Sequence, residues 1–487
     1  MHRLENPEPP VEWTEDSLRQ LFEKCADVRI QRYQLGDPDV MQSVILVSCD
    51  GLADLAQVNL YVFPRLKEML RGTEADPAMN VELALVRIHH ADEIVNSVFA
   101  GQLVLYFCEL KALYRLDIAN PPDRSVEDSN SEISIKGARD GFIENLQTNV
   151  ALVRKRLRTT SMRYEQITIG TKSETRAALL YIDGTIRPDI LDEARRRLQG
   201  IKTEALLGSN QLEELISDTS YSLFPLITYT GRPDFVADLL IHGRFAVLVD
   251  GSPMAVIGPV NLTLLLKSPE DLYMPYHIVS FEMMLRTAGL LIAIFLPGFW
   301  IALASFNMEQ LPFPLLATLV MTRIGLPLPG PLEAYLMIAM FELFREAGLR
   351  LPKAIGQTVA VVGGIIIGDA VIRAGIASTT MLVVAALAVI AKFTLVNQTM
   401  GTAVGIIRLF IMVFASTLGM YGFILGTIAM TLYLSKLQSF GVPYLAPLSP
   451  VTPKEVFAAL FKRPLHAENT GPRFLRRDHT DKQGGDN

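Results

Sequence analysis

Six ionisable side chains interrupt the apolar C-terminal part of this sequence: Glu333, Glu342, Asp369, Arg373, Lys392 and Arg408. A charge held inside an apolar run of hydrocarbon length is costly, so each marks a place to look first for chemistry or ion movement. The competing reading is that some of them end their runs, where water or headgroups reach them. Asp369 and Arg373 are four residues apart, in the order that favours pairing along a helix, and are expected to form a structural ion pair. Glu342 can pair with Arg345 or Arg350, Glu333 can be interfacial, and Lys392 can reach water along its aliphatic stem. With Gln357 and Asn397 added, the candidates for lining or gating a polar path are Glu333, Gln357, Asp369, Lys392 and Asn397. One copy offers too few polar positions to line such a path alone. A ring of copies would repeat each position around an axis, as side chains do in pores.

Other chemistry finds no support. The seven histidines lack metal-ligand spacing, and the adjacent His89 and His90 point to different faces. There is no Gly-x-Ser-x-Gly elbow. Asp50-Gly51, Asp183-Gly184 and Asp250-Gly251-Ser252-Pro253 are turn signals between strands. Cys25, Cys49 and Cys108 have no base nearby in sequence, and Cys49 and Cys108, ending apolar strands, are expected in the core. No catalytic residue, metal or cofactor is predicted, and the chain is not expected to be an enzyme.

The elements that carry these residues follow from composition. Of 487 residues half are hydrophobic, and the mean hydropathy is +0.28. A net charge of −6 gives no sign of nucleic-acid binding. An odd cysteine count fits a reducing compartment. Met1 to Pro10 is polar and proline-rich, without the apolar core of a signal peptide, so the N-terminal region is expected to be cytosolic. Uncharged or nearly uncharged runs at 287–306, 332–344, 354–372, 376–400 and 409–435 predict about five membrane spans. The proline-rich stretch 311–331 reads as a broken or re-entrant passage. Basic residues in the loop 345–353 and after Ser435 both favour the cytosolic side, yet five spans place the two ends on opposite sides. The conflict is resolved if 401–435 forms two short segments around Gly419 to Gly422. Gly364 to Gly368, Gly401 to Gly405 and Gly422 to Gly426 are small-xxx-small patterns that let helices approach closely.

The N-terminal half contains a repeat. Gly36 precedes Asp50-Gly51 by fourteen residues, and Gly170 precedes Asp183-Gly184 by thirteen. Asp92 lies nine residues before Gly101 and the strand 103–107; Asp234 lies nine before Gly243 and the strand 245–249. The order strand, strand, helix, short helix, strand occurs twice. The predicted fold is therefore an α/β soluble N-terminal region of two duplicated subdomains followed by an all-α multi-span transmembrane domain. Its boundaries are a flexible N-terminus at 1–24, subdomains at 25–118 and 161–280 joined by a linker with a helix at 119–160, spans over 281–436 and a basic cytosolic tail at 437–487. The linker helix, patterned over 140–157, ends in Arg154, Lys155, Arg156 and Arg158. These read as a solvated helix end favoured by its dipole, or as a contact to lipid headgroups or another subunit.

The linker stretches 124–127 and 132–149, together with Ala178-Leu-Leu-Tyr-Ile-Asp-Gly184 and Arg244-Phe-Ala-Val-Leu-Val-Asp-Gly-Ser-Pro253, resemble signatures of the GerA family of bacterial spore germination proteins. So do 268–271, 331–352, 355–358 and 362–368. Gly231 stands where the family usually has an acidic residue and Asp369 where Gln is common; 394–398 replaces a stretch that usually contains proline. The resemblance implies the A subunit of a nutrient germinant receptor in the inner spore membrane. It implies a ring, a pentamer, that acts as an ion channel releasing monovalent cations, with a transporter-like B subunit and a lipoprotein C subunit as partners besides membrane lipid. A non-conducting signalling scaffold and a secondary transporter component are the alternatives. The membrane half shows no inverted repeat of the transporter kind.

Overall fold

The computed structural model describes residues 13–35, 41–71, 83–122, 136–219, 221–350, 368–449, 453–462 and 473–475. It divides into two compact units, one comprising Met1–Ser220, Ile227–Pro259 and Asn469–Asn487, the other Tyr221–Leu226 and Val260–Glu468.

The first unit begins with helix α1 (Glu15–Leu21), capped by Thr14, and strands β1 (Val28–Leu35) and β2 (Gln42–Cys49). After helix α2 (Phe63–Arg71) come β3 (Val86–Ile88), helix α3 (Ala91–Phe99), β4 (Leu103–Phe107) and β5 (Ala112–Leu116). The sheet order is β1-β2-β4-β5-β3, with every ladder antiparallel. β2 is an interior strand and is buried on both faces. Ile45, Val47 and Cys49 pack with Leu18, Ile94, Val98 and Phe99, whereas Val44 and Leu46 pack with Val58, Val62 and Leu66. The period of two thus supplies two cores, and helices cover both faces of one sheet.

Helix α4 (Leu146–Arg154) follows, then β6 (Met162–Ile169), β7 (Thr175–Ile182), α5 (Pro188–Gly200), α6 (Ser209–Ile216), β8 (Thr228–Thr230), α7 (Pro233–Ile241), β9 (Phe245–Val249) and β10 (Ala255–Gly258). The second sheet has the order β6-β7-β9-β10-β8, the same as the first and again antiparallel throughout. The repeat extends to details. The Asp50 N–H donates to the Asp27 carbonyl at 2.7 Å, and the Asp183 N–H to the Ser161 carbonyl at 2.7 Å. Gly51 and Gly184 have φ of 76° and 77°; Gly101 and Gly243 have 88° and 85°. The glycines at 51, 101, 170, 184 and 243 that marked the repeat in the sequence stand at left-handed turns, which other residues adopt only with strain, while Gly36 lies outside the described residues. Each repeat also holds strands that the sequence pattern left out. β3 and β8, three residues each, are too short to show periodicity.

In the second unit α8 (Tyr276–Phe306) is 31 residues long. It starts ahead of the apolar run because His277, Glu282 and Arg286 lower the hydropathy of its first turns without breaking the helix. The Arg286 guanidinium donates to both carboxylate oxygens of Asp271, at 2.7 and 2.9 Å, and fixes that entry. Then come α9 (Phe313–Arg323), α10 (Gly330–Arg350), α11 (Thr379–Phe393), α12 (Gln398–Lys436) and α13 (Pro453–Leu460). Among the described residues α8 and α12 are long and apolar enough to cross a membrane. The proline-rich stretch holds only the eleven-residue α9. The expected run 376–400 is broken at 394–397, where Asn397 caps α12 by accepting from the Met400 N–H at 2.9 Å.

α12 is not one rod. At Gly419 the backbone leaves the helical region, with φ 63° and ψ −138°. A Cβ added at Gly422 would overlap the Phe414 carbonyl, and one at Gly426 would lie 3.5 Å from Phe414 Cβ. In a straight helix, residues eight and twelve apart are separated by about 12 and 18 Å. The chain therefore reverses at Gly419, and Gly422 and Gly426 form the face on which the second arm lies against the first.

Candidate functional site

Two charge clusters lie inside the helical unit. In the first, Glu333 sits in the first turn of α10 and is 1% exposed. One of its oxygens accepts from the Ser378 backbone N–H at 2.5 Å and from the Ser378 hydroxyl, and Ser378 is the cap of α11. The carboxylate is thus held at a helix N-terminus, where the unpaired N–H groups and the dipole favour a negative charge. Its other oxygen is 3.9 Å from Arg323 at the end of α9. Trp300, Ser305, Thr380 and Met381 complete the wall of a small cavity there.

The second cluster joins three helices. One Glu342 oxygen accepts from Lys392 Nζ at 2.9 Å and from Arg408 Nη2 at 2.8 Å; the other accepts from Arg345 Nε at 2.7 Å. Lys392, in the last turn of α11, is 6% exposed, and Arg408, in the first arm of α12, is 0% exposed. Two glycines make room for this: a Cβ at Gly405 would come within 3.2 Å of Lys392 Nζ, and one at Gly401 within 3.8 Å of its Cε. The small-xxx-small pattern at 401–405, read from the sequence as a helix-approach face, is here the slot for a lysine stem. Arg408 Nε and Nη1 find no hydrogen-bond partner among the described residues.

The sequence-derived candidates are therefore not brought together. Glu333 and Lys392 belong to different clusters, each with ion-pair partners in the same chain. Asn397 is a helix cap. Asp369 and Arg373 approach to 2.7 Å, with side chains 57% and 79% exposed, on the short helical segment 368–373. Gln357 lies outside the described residues. Lys392 and Arg408, both visible as isolated charges, share a partner that could not be read, since 50 and 66 residues separate Glu342 from them.

A third charged site lies in the first unit and corrects the reading of the basic run as a solvated helix end for Arg154 and Arg156, whereas Lys155 and Arg158 are exposed. Arg154, the last residue of α4, is wholly buried. Its Nε and Nη2 donate to both oxygens of Asp27, at 2.8 and 2.9 Å, and its Nη1 to the carbonyls of Thr159 and Met162. Phe99 lies against the guanidinium, 4.2 Å from the ring centre. Arg156 turns to Asp140 at 2.5 Å. Both are tied down within the chain rather than extended into solvent. The start of α4 is held as firmly: the Leu146 N–H donates to Asp250 Oδ1 at 3.2 Å, and Asp250 Oδ2 pairs with Arg176 at 2.8 Å. Of the two cysteines expected in the core, Cys49 is buried, but Cys108 is half-buried. Burial, aided by the nearby Asp27 carboxylate, pushes the Cys49 thiol well above its usual range, so it stays neutral.

The described chain thus consists of one unit with two antiparallel sheets of the same topology and a second unit of long apolar helices with buried charge clusters. A family-wide sequence pattern described as Bacillus/Clostridium GerA spore germination protein matches residues 16–474, and the chain belongs to this family. Spore germination protein XA of Bacillus anthracis is 39% identical over 96% of both chains. Spore germination protein KA of Bacillus subtilis is 32% identical over 95% of this chain and 86% of its own length. A Bacillus subtilis protein described as an uncharacterized membrane protein, YfkQ, is 34% identical over 91% of this chain and 86% of its own. The crystal structure of the N-terminal domain of the A subunit of the Bacillus megaterium spore germinant receptor GerK3 is 24% identical, covering 50% of this chain and 92% of that one, with a TM-score of 0.39.

Proposed function

We propose that this chain is the A subunit of a nutrient germinant receptor in the inner spore membrane, and that it works as a ring-shaped, cation-conducting oligomer. In this reading the helical unit spans the membrane six times: the five runs of the sequence, with the last divided at Gly419. An even count puts the basic tail on the same side as the N-terminal region, as the positive-inside rule requires. The observation that carries the reading is how the buried charges are used. Glu333, Glu342, Lys392 and Arg408 tie helices of one chain together. Of the five candidates Asp369, exposed and paired only with Arg373 of its own helical segment, does not tie helices together; with Gln357, which lies outside the described residues, it is proposed to line a path that two positions per chain can form only when repeated around a ring. A transporter-like B subunit and a lipoprotein C subunit are the proposed partners, nutrient binding is assigned to the B subunit, and no catalytic step is assigned to this chain.

Reconstitution into liposomes loaded with a potassium-sensitive dye tests it. Flux is expected from the oligomer and is expected to fall with Gln357→Leu. A demonstrated monomer that conducts as well as the native protein would overturn the ring. A stable oligomer that conducts nothing, with and without nutrient and partner subunits, would make the chain a signalling scaffold.

A further inference from the structure

The Glu342 cluster is unbalanced. Three cations, Arg345, Lys392 and Arg408, share one carboxylate. The other acids of these helices are engaged elsewhere, Glu333 at Ser378 and Arg323, Asp369 at Arg373. The stretch 351–367 contains no Asp or Glu, and it adds another cation, Lys353. Even with Glu346, exposed one turn beyond Glu342, positive charge is in excess. The C-terminal end of α11 contributes about half a negative charge near Lys392, too little to balance the cluster. A buried charge without a counter-charge is strongly destabilising, and Arg408 adds two buried donors, Nε and Nη1, with no partner among the described residues.

The position of the cluster says what kind of anion fits. Glu342 and Arg345 lie towards the C-terminal end of α10, Lys392 is the penultimate residue of α11, and Arg408 lies in the third turn of α12. Lys392 is at a helix end, and residues 345–350, read from the sequence as part of a loop, carry α10 on beyond Glu342 towards the end that faces the cytosolic side in the membrane-spanning reading above. Arg345 and Glu342 are about one quarter exposed and Arg408 is buried, so the site opens outward from a closed base. We propose that this cluster binds a phosphate group, and that its source is the headgroup of an anionic lipid of the cytosolic leaflet. This proposal rests on the membrane-spanning reading above. The arrangement matches the basic pockets between membrane helices on the cytosolic side that hold lipid phosphates.

The test uses the full-length chain in nanodiscs of phosphatidylcholine alone, or with added phosphatidylglycerol, and in phosphatidylcholine with inorganic phosphate. Thermal unfolding and lipid retained in native mass spectrometry are read. Phosphatidylglycerol is expected to raise the unfolding temperature and to be retained. Arg345→Gln, at a partly exposed position where folding is safe, is expected to weaken that preference about fivefold, as for the loss of one cation at a headgroup surface. Arg345→Lys is expected to keep most of it. A preference undiminished in Arg345→Gln overturns the proposal, as does a stabilisation that appears in phosphatidylcholine alone on self-association, which would make a carboxylate of a second copy the counter-charge. Inorganic phosphate giving the whole shift overturns the lipid source. Failure to enter nanodiscs of either composition would instead refute the membrane-spanning reading.

Discussion

At the scale of single residues, burial decides which charges matter. Arg154 and Asp27 are closed off from water and bound through both oxygens, whereas Asp369 and Arg373 are mostly exposed. Exposed pairs at this spacing contribute about 0.3–0.5 kcal/mol, and removing one partner of a buried pair costs about 3–5 kcal/mol. Asp27→Ala is therefore expected to lower the unfolding temperature far more than Asp369→Ala, and Arg154→Met on top of Asp27→Ala to recover part of the loss. Thermal denaturation of the three variants beside the unaltered protein checks this; equal effects of the two single changes would contradict it. A glycine pair gives a second contrast. Gly101 and Gly184 share left-handed φ values, but a Cβ at Gly101 would overlap the Leu52 carbonyl while Gly184 has open space. Gly184→Ala should cost about 1–2 kcal/mol, the backbone term alone. Gly101→Ala should cost clearly more, because backbone must move. The sequence showed Arg154 only as one of a run of basic residues, and nothing in such a run tells which member turns inward.

At the scale of elements, the decisive feature is the reversal at Gly419. Its φ and ψ lie near the region open only to glycine, and a Cβ there would also press on Phe306 at 2.8 Å. Gly419→Ala is expected to cost about 1–3 kcal/mol from backbone strain alone. Gly422→Leu is expected to separate the arms, since its side chain would occupy the path of the Phe414 carbonyl. Both are read by thermal stability and by protease cleavage between residues 411 and 430, and a native cleavage pattern in Gly422→Leu would count against the hairpin. The sequence carried this feature as a parity problem that a break near Gly419 would solve. The repeat was legible because left-handed glycines recur at fixed spacing. The antiparallel pairing and the edge strands β3 and β8 were not, since three residues carry no period and pairing direction leaves no local mark. The clusters around Glu333 and Glu342 were legible as isolated charges but not as pairs, because their partners lie tens of residues away on other helices.

At the scale of the whole molecule, membership of the GerA family rests on a match over nearly the entire chain. The six-span reading makes a topological prediction. Single cysteines introduced at residues 2 and 486, in a background lacking Cys25, Cys49 and Cys108, are expected to be protected from a membrane-impermeant maleimide on the same side. Labelling from opposite sides would restore an odd count. A single cysteine at residue 353 should be accessible from the same side as these two.

The linker helix α4 has a mechanical consequence. Asp250, from the second sheet, grips its first turn, and Asp27, from the first sheet, grips its last residue. A pull that draws the two sheets apart loads this helix along its length. Its end contacts must then slip together, in shear, instead of peeling open one at a time. The helix is a tie rod rather than a tether, and stretching the N-terminal region between its ends in an optical trap should give one high-force step, not a soft extension of the linker followed by two separate unfoldings.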